Sequence, residues 1–324
     1  MSLLESQQKT AVILLNLGGP EKVEDVRPFL YNLFSDRLII RLGPAFMQKP
    51  LAWWIAKKRA PKSQGYYRQI GGGSPLNLIT AQQCDALEQS LNATGNFKVV
   101  MAMRYWKPFA REVLADLASQ GIQRLIALTL YPHYSIATTG SSLRDLQDVM
   151  VEMPGQFELA KIASWPDQND YVDCLVQRIQ AALSDKAEAE VVYSAHSLPV
   201  KFIDEGDPYL DHLKRTIQAI EEKTGVKGHL CFQSRSGPVE WLAPSTPDTI
   251  EKLAKNGCKK IVMVPISFVS DHVETLCEID IQYKALAAGF GVELARTPSL
   301  NVDPLFIKAL NTLVLTACNE KGWS

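Results

Sequence analysis

The chain repeats itself, and the repeat limits its architecture more than any single motif does. A shift of 179 residues lays Val12-Ile13 on Val191-Val192, Leu17 on His196 and Pro20 on Pro199. The segments ASQGIQRLIALTLYPHYS and AKNGCKKIVMVPISFVS correspond in the same way, with a small difference in length. Such self-similarity specifies two like domains rather than one enlarged core, and 324 residues suit two. Strand and helix signals alternate within each half, which predicts α/β domains with parallel sheets facing across a cleft. Leu17 and His196 then hold equivalent places on opposite walls, an apolar residue across from an imidazole. That pairing suits a flat apolar ligand.

The stretch from Lys259 to Tyr283 carries the densest chemistry. Ile261 to Val264 reads as a buried parallel strand, which Pro265 ends because it cannot donate to a ladder. Val273, Leu276, Cys277 and Asp280-Ile281 then repeat at helical spacing, with Ser270 or Asp271 as the N-cap. On an α-helix, Asp271, Glu274 and Glu278 at i, i+3 and i+7 line one face, with His272 beside them. Three acids and an imidazole at a strand-to-helix turn are a site that binds a cation or moves protons. The plain alternative is a solvated helix face whose first-turn acids answer the macrodipole.

Strands are also predicted over Ala11–Leu15, Val99–Met103, Leu125–Leu130, Phe157–Ala163, Val191–Ala195, Leu230–Ser234 and Val292–Ala295. Thr80 is expected to cap a helix reaching Leu91, and Pro108 and Pro247 to open helices closed by Gly121 and Gly257. Asp303-Pro304 is expected to cap a last helix with Leu305, Ala309, Leu310, Leu313 and Val314 on one face. Gly18-Gly19 and Gly71-Gly72-Gly73-Ser74-Pro75 lack the dinucleotide and Walker patterns, so tight turns are their expected use. Residues 38–62 depart from their surroundings, with apolar and aromatic residues (Phe46, Trp53, Trp54) followed by Lys57, Lys58 and Arg59. A connection there should be short, and a long insertion is the mark of a lid or lip; the alternative is a core helix with a cationic last turn.

Composition excludes several classes. A hydrophobic share of 46% with 21% charged residues is that of a globular protein. A net charge of −1 gives no electrostatic footprint for nucleic acid. No apolar run is long enough to span a bilayer, and MSLLESQQKT lacks a signal-peptide pattern, which predicts a cytoplasmic protein. The cysteines at 84, 174, 231, 258, 277 and 318 form no C-x-x-C pair, against a zinc ribbon, redox motif or disulfide framework.

Taken together, LLNLGGP, IAKKRAPKSQGYYRQIGGGSPL, MRYWKP, LYPHYSIATTGSSL, HSLP, FQSRSGPVEWLAP and PISFVSDHVETL make the chain resemble the ferrochelatases, the terminal enzymes of haem synthesis, over nearly its whole length. The resemblance implies two Rossmann-like domains, similar in fold to periplasmic binding proteins, around a porphyrin cleft. The first would cover residues 8–160, with the lip at 38–62 and a returning helix at 303–320; the second, residues 161–302, would carry the metal site. It implies Fe(II) and protoporphyrin IX as substrates. His196 would be the metal-contacting histidine that takes pyrrole protons, and Glu274 its carboxylate partner. Asp271, His272 and Glu278 would form an acidic track. Leu17, Tyr67, Arg104, Tyr105, His133, Trp241 and Phe268 would surround the macrocycle, while Arg59 and Ser74 would meet its propionates. With only Cys318 near the C-terminus, no iron–sulfur cluster is expected, nor any other permanently bound cofactor. A monomer is implied, with peripheral contact of the lip with the cytoplasmic membrane as a further expectation. A coproporphyrin III enzyme and a non-catalytic porphyrin or haem carrier of the same fold are the alternatives.

The residue types fit this chemistry independently. Metallating a porphyrin removes two N–H protons and delivers a desolvated divalent metal. A neutral imidazole can ligate Fe(II) and act as a base near neutrality. One carboxylate can hold the ion and a second can pass protons onward.

Overall fold

All eight expected strands form in the computed structural model, which describes residues 8–184 and 188–323. The N-terminal residues on which the absence of a leader was read lie largely outside the described part, as does Ser324.

The chain divides into two units. The first comprises the residues up to Tyr131, then Ser135–Ser164 and the segment from Asn301 onward. Its strands are β1 (Thr10–Asn16), β2 (Phe97–Met103), β3 (Arg124–Thr129) and β4 (Glu158–Ile162). They form a parallel sheet in the order β2-β1-β3-β4. Its helices are α1 (Val26–Ser35), α2 (Gln48–Gln69), α3 (Leu76–Leu91), α4 (Ala110–Ser119) and α5 (Ser141–Val151).

The second unit is Pro132–Tyr134 with Trp165–Leu300. It holds α6 (Asn169–Ser184), β5 (Glu190–His196), α7 (Val200–Asp204), α8 (Tyr209–Thr224) and β6 (Gly228–Gln233). After these come α9 (Thr246–Lys255), β7 (Lys260–Pro265), α10 (Lys284–Gly289) and β8 (Glu293–Arg296). The strand order is β6-β5-β7-β8, again all parallel. The two sheets therefore have one topology, as the internal repeat requires. The central strands, β1, β3, β5 and β7, are near-continuous buried apolar runs, the pattern of sheets covered on both faces.

The last helix, α11 (Pro304–Lys321), belongs to the first unit and packs against α3. Asp303 caps it by accepting from the Leu305 and Phe306 N–H groups. Its buried side is Phe306, Ile307, Ala309, Leu310, Val314, Ala317 and Cys318, rotated from the expected stripe so that Leu305 and Leu313 lie at its margin.

Three helix starts differ from the sequence reading. Thr80 lies one turn inside α3, buried, donating to the Leu76 carbonyl (2.8 Å) and accepting from Asn16 Nδ2 (3.1 Å). The Asn16 amide at the end of β1, not a helix end, explains this hydroxyl. Pro108 stands before α4, which begins at Ala110, whereas Pro247 opens α9 as expected, in the first turn after the Ser245 N-cap, which accepts from Asp248 N–H (3.1 Å). The third concerns the Lys259–Tyr283 stretch. Neither Ser270 nor Asp271 caps an α-helix there; residues Glu274–Tyr283 form a π-helix, a form that appears at functional sites.

The two glycine-rich segments pack on each other. Ser74 N–H donates to the Pro20 carbonyl at 2.7 Å. A Cβ on Gly73 would stand 2.1 Å from the Glu21 carbonyl oxygen, and one on Gly19 would stand 2.6 Å from Ser74 Cβ. Close backbone approach, not phosphate binding, requires these glycines.

Residues 38–62 form neither a core helix nor a simple connection. The buried stripe of α2 is Ala52, Ala56 and Ala60, packed along α1. Its bulky residues face solvent: Phe46 is 78% exposed, Trp53 48% and Trp54 50%. Cations cover them, with Lys58 Nζ 4.0 Å from the Trp54 ring centre and Arg27 5.2 Å from that of Trp53. Buried Gln48 anchors the start of α2. Its Nε2 donates to the Phe34 and Ile40 carbonyls (2.7 and 2.9 Å), while Oε1 accepts from Leu42 N–H and Arg37.

Candidate active site

β5, β6 and β7 run parallel, so their C-terminal ends share one edge of the second unit's sheet, the edge at which open α/β sheets place ligands. β5 ends in His196 and β6 in Gln233, and the two are ladder partners. β7 ends in Pro265, and the turn beyond it leads into the π-helix. The His196 backbone is fixed from two sides: its N–H donates to Ser267 Oγ and its carbonyl accepts from Tyr209 OH, both at 3.0 Å.

The His196 side chain is 38% exposed, and its Nδ1 lies 2.8 Å from Glu274 Oε2. An ionised carboxylate only accepts, so Nδ1 carries the proton, and the neutral ring offers the Nε2 lone pair. Phe268 sits edge-on to this ring (6.4 Å between centres) and tilted over His272 (4.4 Å), a wedge between the two imidazoles. Buried His272 is held by Nδ1 against the Ser270 carbonyl (3.1 Å), with Nε2 3.9 Å from Glu274 Oε2, an ion-pair distance rather than a hydrogen bond.

The environments of these groups push them apart. Burial opposes charge on His196, but the Glu274 carboxylate outweighs it, and the His196 pKa is raised above 6.5. Burial likewise works against the Glu274 anion, yet His196 and then His272 hold it well below the usual carboxylate range. For Glu278, burial and then the charge of Glu274 act together, and its pKa is raised. Two carboxylates set apart in this way form an acid–base pair.

Ser234 joins them. Its Oγ lies 2.7 Å from Glu278 Oε2 and 3.1 Å from Glu274 Oε2. Its φ of +65° is left-handed, a conformation that costs a non-glycine residue about 1–3 kcal/mol and clusters at functional sites. Tyr283 OH (3.4 Å) and Gln233 Nε2 (3.2 Å) also reach Glu278 Oε2. The sequence reading missed Ser234, Gln233 and Tyr283; only the place of the first two at the end of the strand beside His196 could have signalled them.

The expected row of three acids on one face is not what forms. Glu274 and Glu278 both reach Ser234, but Asp271 precedes the π-helix and serves a different cluster. Its Oδ1 receives Ser299 Oγ (2.7 Å), Thr275 Oγ1 (3.1 Å) and Arg296 Nη1 (3.1 Å). Arg296 also grips Asp280 through Nε and Nη2 (2.9 and 2.8 Å). Asp271 and Asp280 thus anchor the π-helix to the end of β8. Arg296→Leu is expected to lower unfolding free energy in urea by about 2–3 kcal/mol. That is less than the 3–5 kcal/mol for breaking a fully buried pair, because Asp280 is 37% exposed. A loss under 0.5 kcal/mol would remove the clamp.

Of the other expected ligand contacts in this unit, Trp241 lies in a bridge with Pro199, and its buried Nε1 has no hydrogen-bond partner among the described residues. His133 is the other expected contact placed in this unit. It is buried, with Nε2 2.8 Å from Thr216 Oγ1, and burial followed by the nearby His212 lowers its pKa to about 3.

In the first unit, Leu17 is half-buried at the end of β1, the position equivalent to His196, and Ser74 is half-buried in its turn. Arg59 is exposed over the Phe34 ring (5.4 Å). Tyr67 and Tyr105 are buried and present almost no ring surface. The reason for Tyr105 is a network that the sequence did not announce. Asp36 Oδ2 accepts from Tyr105 OH (2.8 Å), Arg104 Nη2 (2.9 Å) and Ser141 Oγ, and Oδ1 accepts from Leu38 N–H (2.8 Å). Burial opposes the Asp36 charge, but these donors prevail and lower its pKa. Arg104 is thereby tied through Asp36 to the start of residues 38–62.

The described residues include no helix long and apolar enough to cross a membrane. Compared with known proteins, residues 9–318 match the ferrochelatase family model. A ferrochelatase of Desulfotalea psychrophila is 59% identical over 308 residues, covering 94% of this chain and 96% of that one. One of Geotalea uraniireducens is 54% identical over 312 residues, covering 95% and 97%. Among solved structures, SirB from Bacillus subtilis with Fe3+ superposes with a TM-score of 0.58, covering 97% of this chain and 98% of that one. At 13% identity that likeness speaks for the fold alone.

Proposed function

The chain belongs to the ferrochelatase family, and from that premise we propose that this metal chelatase of haem synthesis inserts Fe(II) into protoporphyrin IX through His196 and Glu274. The observation that carries the reading is the 2.8 Å contact of His196 Nδ1 with Glu274, which leaves Nε2 as a free lone pair. Nε2 and Glu274 receive the metal as substrate. As the metal passes to the porphyrin nitrogens, the freed Nε2 lone pair takes a displaced pyrrole proton, and Glu274 stabilises the imidazolium. The proton leaves by Nδ1 to Glu274 Oε2, then through the Ser234 hydroxyl, which accepts one proton and gives up its own, to Glu278. The raised pKa of Glu278 makes it the acceptor. With Glu278 protonated, Glu278 O–H donates to Ser234 and Ser234 donates to Glu274; the imidazole regains its Nδ1 proton by loss of the Nε2 proton to solvent and uptake at Nδ1. Distortion of the macrocycle by apolar contacts would aim a nitrogen lone pair at the metal.

The exposed aromatics of the lip favour protoporphyrin over coproporphyrin. Vinyl and methyl edges match Ile40, Phe46, Trp53 and Trp54, whereas two further propionates against that surface cost several kcal/mol unless paired. Lys57, Lys58 and Arg59 pair the propionates that remain, or anionic headgroups where the lip touches the cytoplasmic membrane. Insertion rates with protoporphyrin IX and coproporphyrin III, compared under identical detergent and metal, test this. Protoporphyrin should be favoured at least tenfold; a preference for coproporphyrin III would overturn the lip argument and leave the metal site standing.

The working form is a cytoplasmic monomer whose iron is substrate, with no iron–sulfur cluster. The cysteine spacing supports this, since four thiolates are nowhere arranged as a cluster motif. Anaerobically purified protein should lack the brown colour and visible absorption of an iron–sulfur centre; stoichiometric acid-labile sulfide would contradict it.

A further inference from the structure

Gln233 does more than end a strand. It is 1% exposed, and its amide is held at both ends. Ser194 Oγ donates to Oε1 at 2.6 Å, and Nε2 donates to Glu278 Oε2 at 3.2 Å and to the Glu274 carbonyl at 3.1 Å. The opposite amide orientation would set Oε1 against a carboxylate and a carbonyl, three acceptors with no proton between them. Because the Ser194 proton is committed to Gln233, the Thr246 hydroxyl 3.0 Å away must donate to Ser194, and Cys231 Sγ, 3.3 Å from Thr246, must donate to it. Cys231, Thr246 and Ser194 are all fully buried. The result is a one-way chain of donors: Cys231 to Thr246 to Ser194 to Gln233 to Glu278. It crosses β6, α9 and β5 and ends on the carboxylate. A buried polar network is retained at a cost unless every member is satisfied, and here each one is.

We infer that Gln233, oriented by Ser194 and Thr246, is a positioning residue that fixes the Glu278 carboxylate at Ser234 for proton acceptance. Resting on the proposed proton route, it assigns a role to three side chains that touch neither metal nor porphyrin. The Ser194 hydroxyl acts only by keeping the Gln233 N–H groups turned to Glu278.

The test is Zn(II) insertion into protoporphyrin IX by the full chain and three variants. Gln233→Met keeps the length and removes all three hydrogen bonds of the amide; kcat should fall about 30-fold with the porphyrin KM within twofold. Ser194→Ala leaves Gln233 in place but free to turn over; kcat should fall about fivefold. The double variant should be no slower than Gln233→Met alone, because Ser194 acts only through the amide, whereas two independent packing defects would multiply. Wild-type kcat in Ser194→Ala, losses that multiply, or losses that fall on the porphyrin KM would each overturn the inference. If Gln233→Met fails to fold, Ser194→Ala decides alone: kcat within twofold of wild type overturns the inference. An inactive wild type would instead overturn the proposed function.

Discussion

His196→Ala should lower kcat/KM for metal insertion by about 10³-fold, within the range for a lost general base, while leaving the fold and porphyrin binding largely intact. The imidazole is 38% exposed, and its backbone contacts to Ser267 and Tyr209 do not involve the ring. Removing it therefore deletes Nε2 without opening the core. The change does leave Glu274 without its closest partner. Glu274 retains Ser234 and the more distant His272, so a modest loss of stability is expected and not collapse. Circular dichroism and porphyrin fluorescence quenching separate these effects from turnover. Near-normal turnover would sink the assignment.

Glu274→Gln should cost about 10²-fold in kcat, and it should also move the pH profile. The amide oxygen can still accept from His196 Nδ1, so the ring stays oriented, but the negative charge is gone. In the wild type that charge raises the His196 pKa above 6.5 against the effect of burial. The base is the neutral ring, so kcat/KM should rise with pH through a midpoint above 6.5. With Gln at 274, only the weaker pull of Glu278 opposes burial, and the midpoint should fall. The same pair affects stability. The raised His196 stabilises the fold below its unfolded value of 6.5, and this is lost as pH rises through the folded pKa. The lowered Glu274 stabilises it above 4.5, and this is lost as pH falls. Both contributions are present between pH 4.5 and 6.5, so the variant's deficit in melting temperature should be greatest in that window. A pH profile unchanged by the substitution would show that Glu274 does not set the base.

What was legible in the sequence follows from what periodicity encodes. Buried parallel strands are short β-branched runs ended by turn residues, so β1, β3, β5 and β7 could be read almost to the residue. The repeat gave the matched topology, because equivalent strands carry equivalent runs. His196 stood out as a polar residue at the end of such a run, and Glu274 as one of the acids at helical spacing after β7; their pairing was implied only by the family resemblance. The π-helix was not legible: the apolar positions of 273–281 fit an α-helical period, and nothing local announces i→i+5 bonding. That error put Asp271 on the face of Glu274 and Glu278, when Arg296, distant in sequence, holds it elsewhere. Thr80, Ser234 and Gln233 were missed or misplaced for a related reason. Their hydroxyls and amide answer groups that folding brings to them, and no spacing rule records those partners. Residues 38–62 stood out by composition as an apolar surface, and Phe46, Trp53 and Trp54 are exposed; the buried stripe of Ala52, Ala56 and Ala60 was not legible, since alanines carry no strong apolar signal.

The central claim is chemical, and absorbance tests it directly. The full chain is incubated anaerobically with free-base protoporphyrin IX and Fe(II), or with Zn(II) in its place. The four visible bands of the free base should collapse to two at a rate proportional to enzyme concentration, and His196→Ala should reduce that rate to near the enzyme-free control. A wild-type rate no greater than the enzyme-free control would contradict the account.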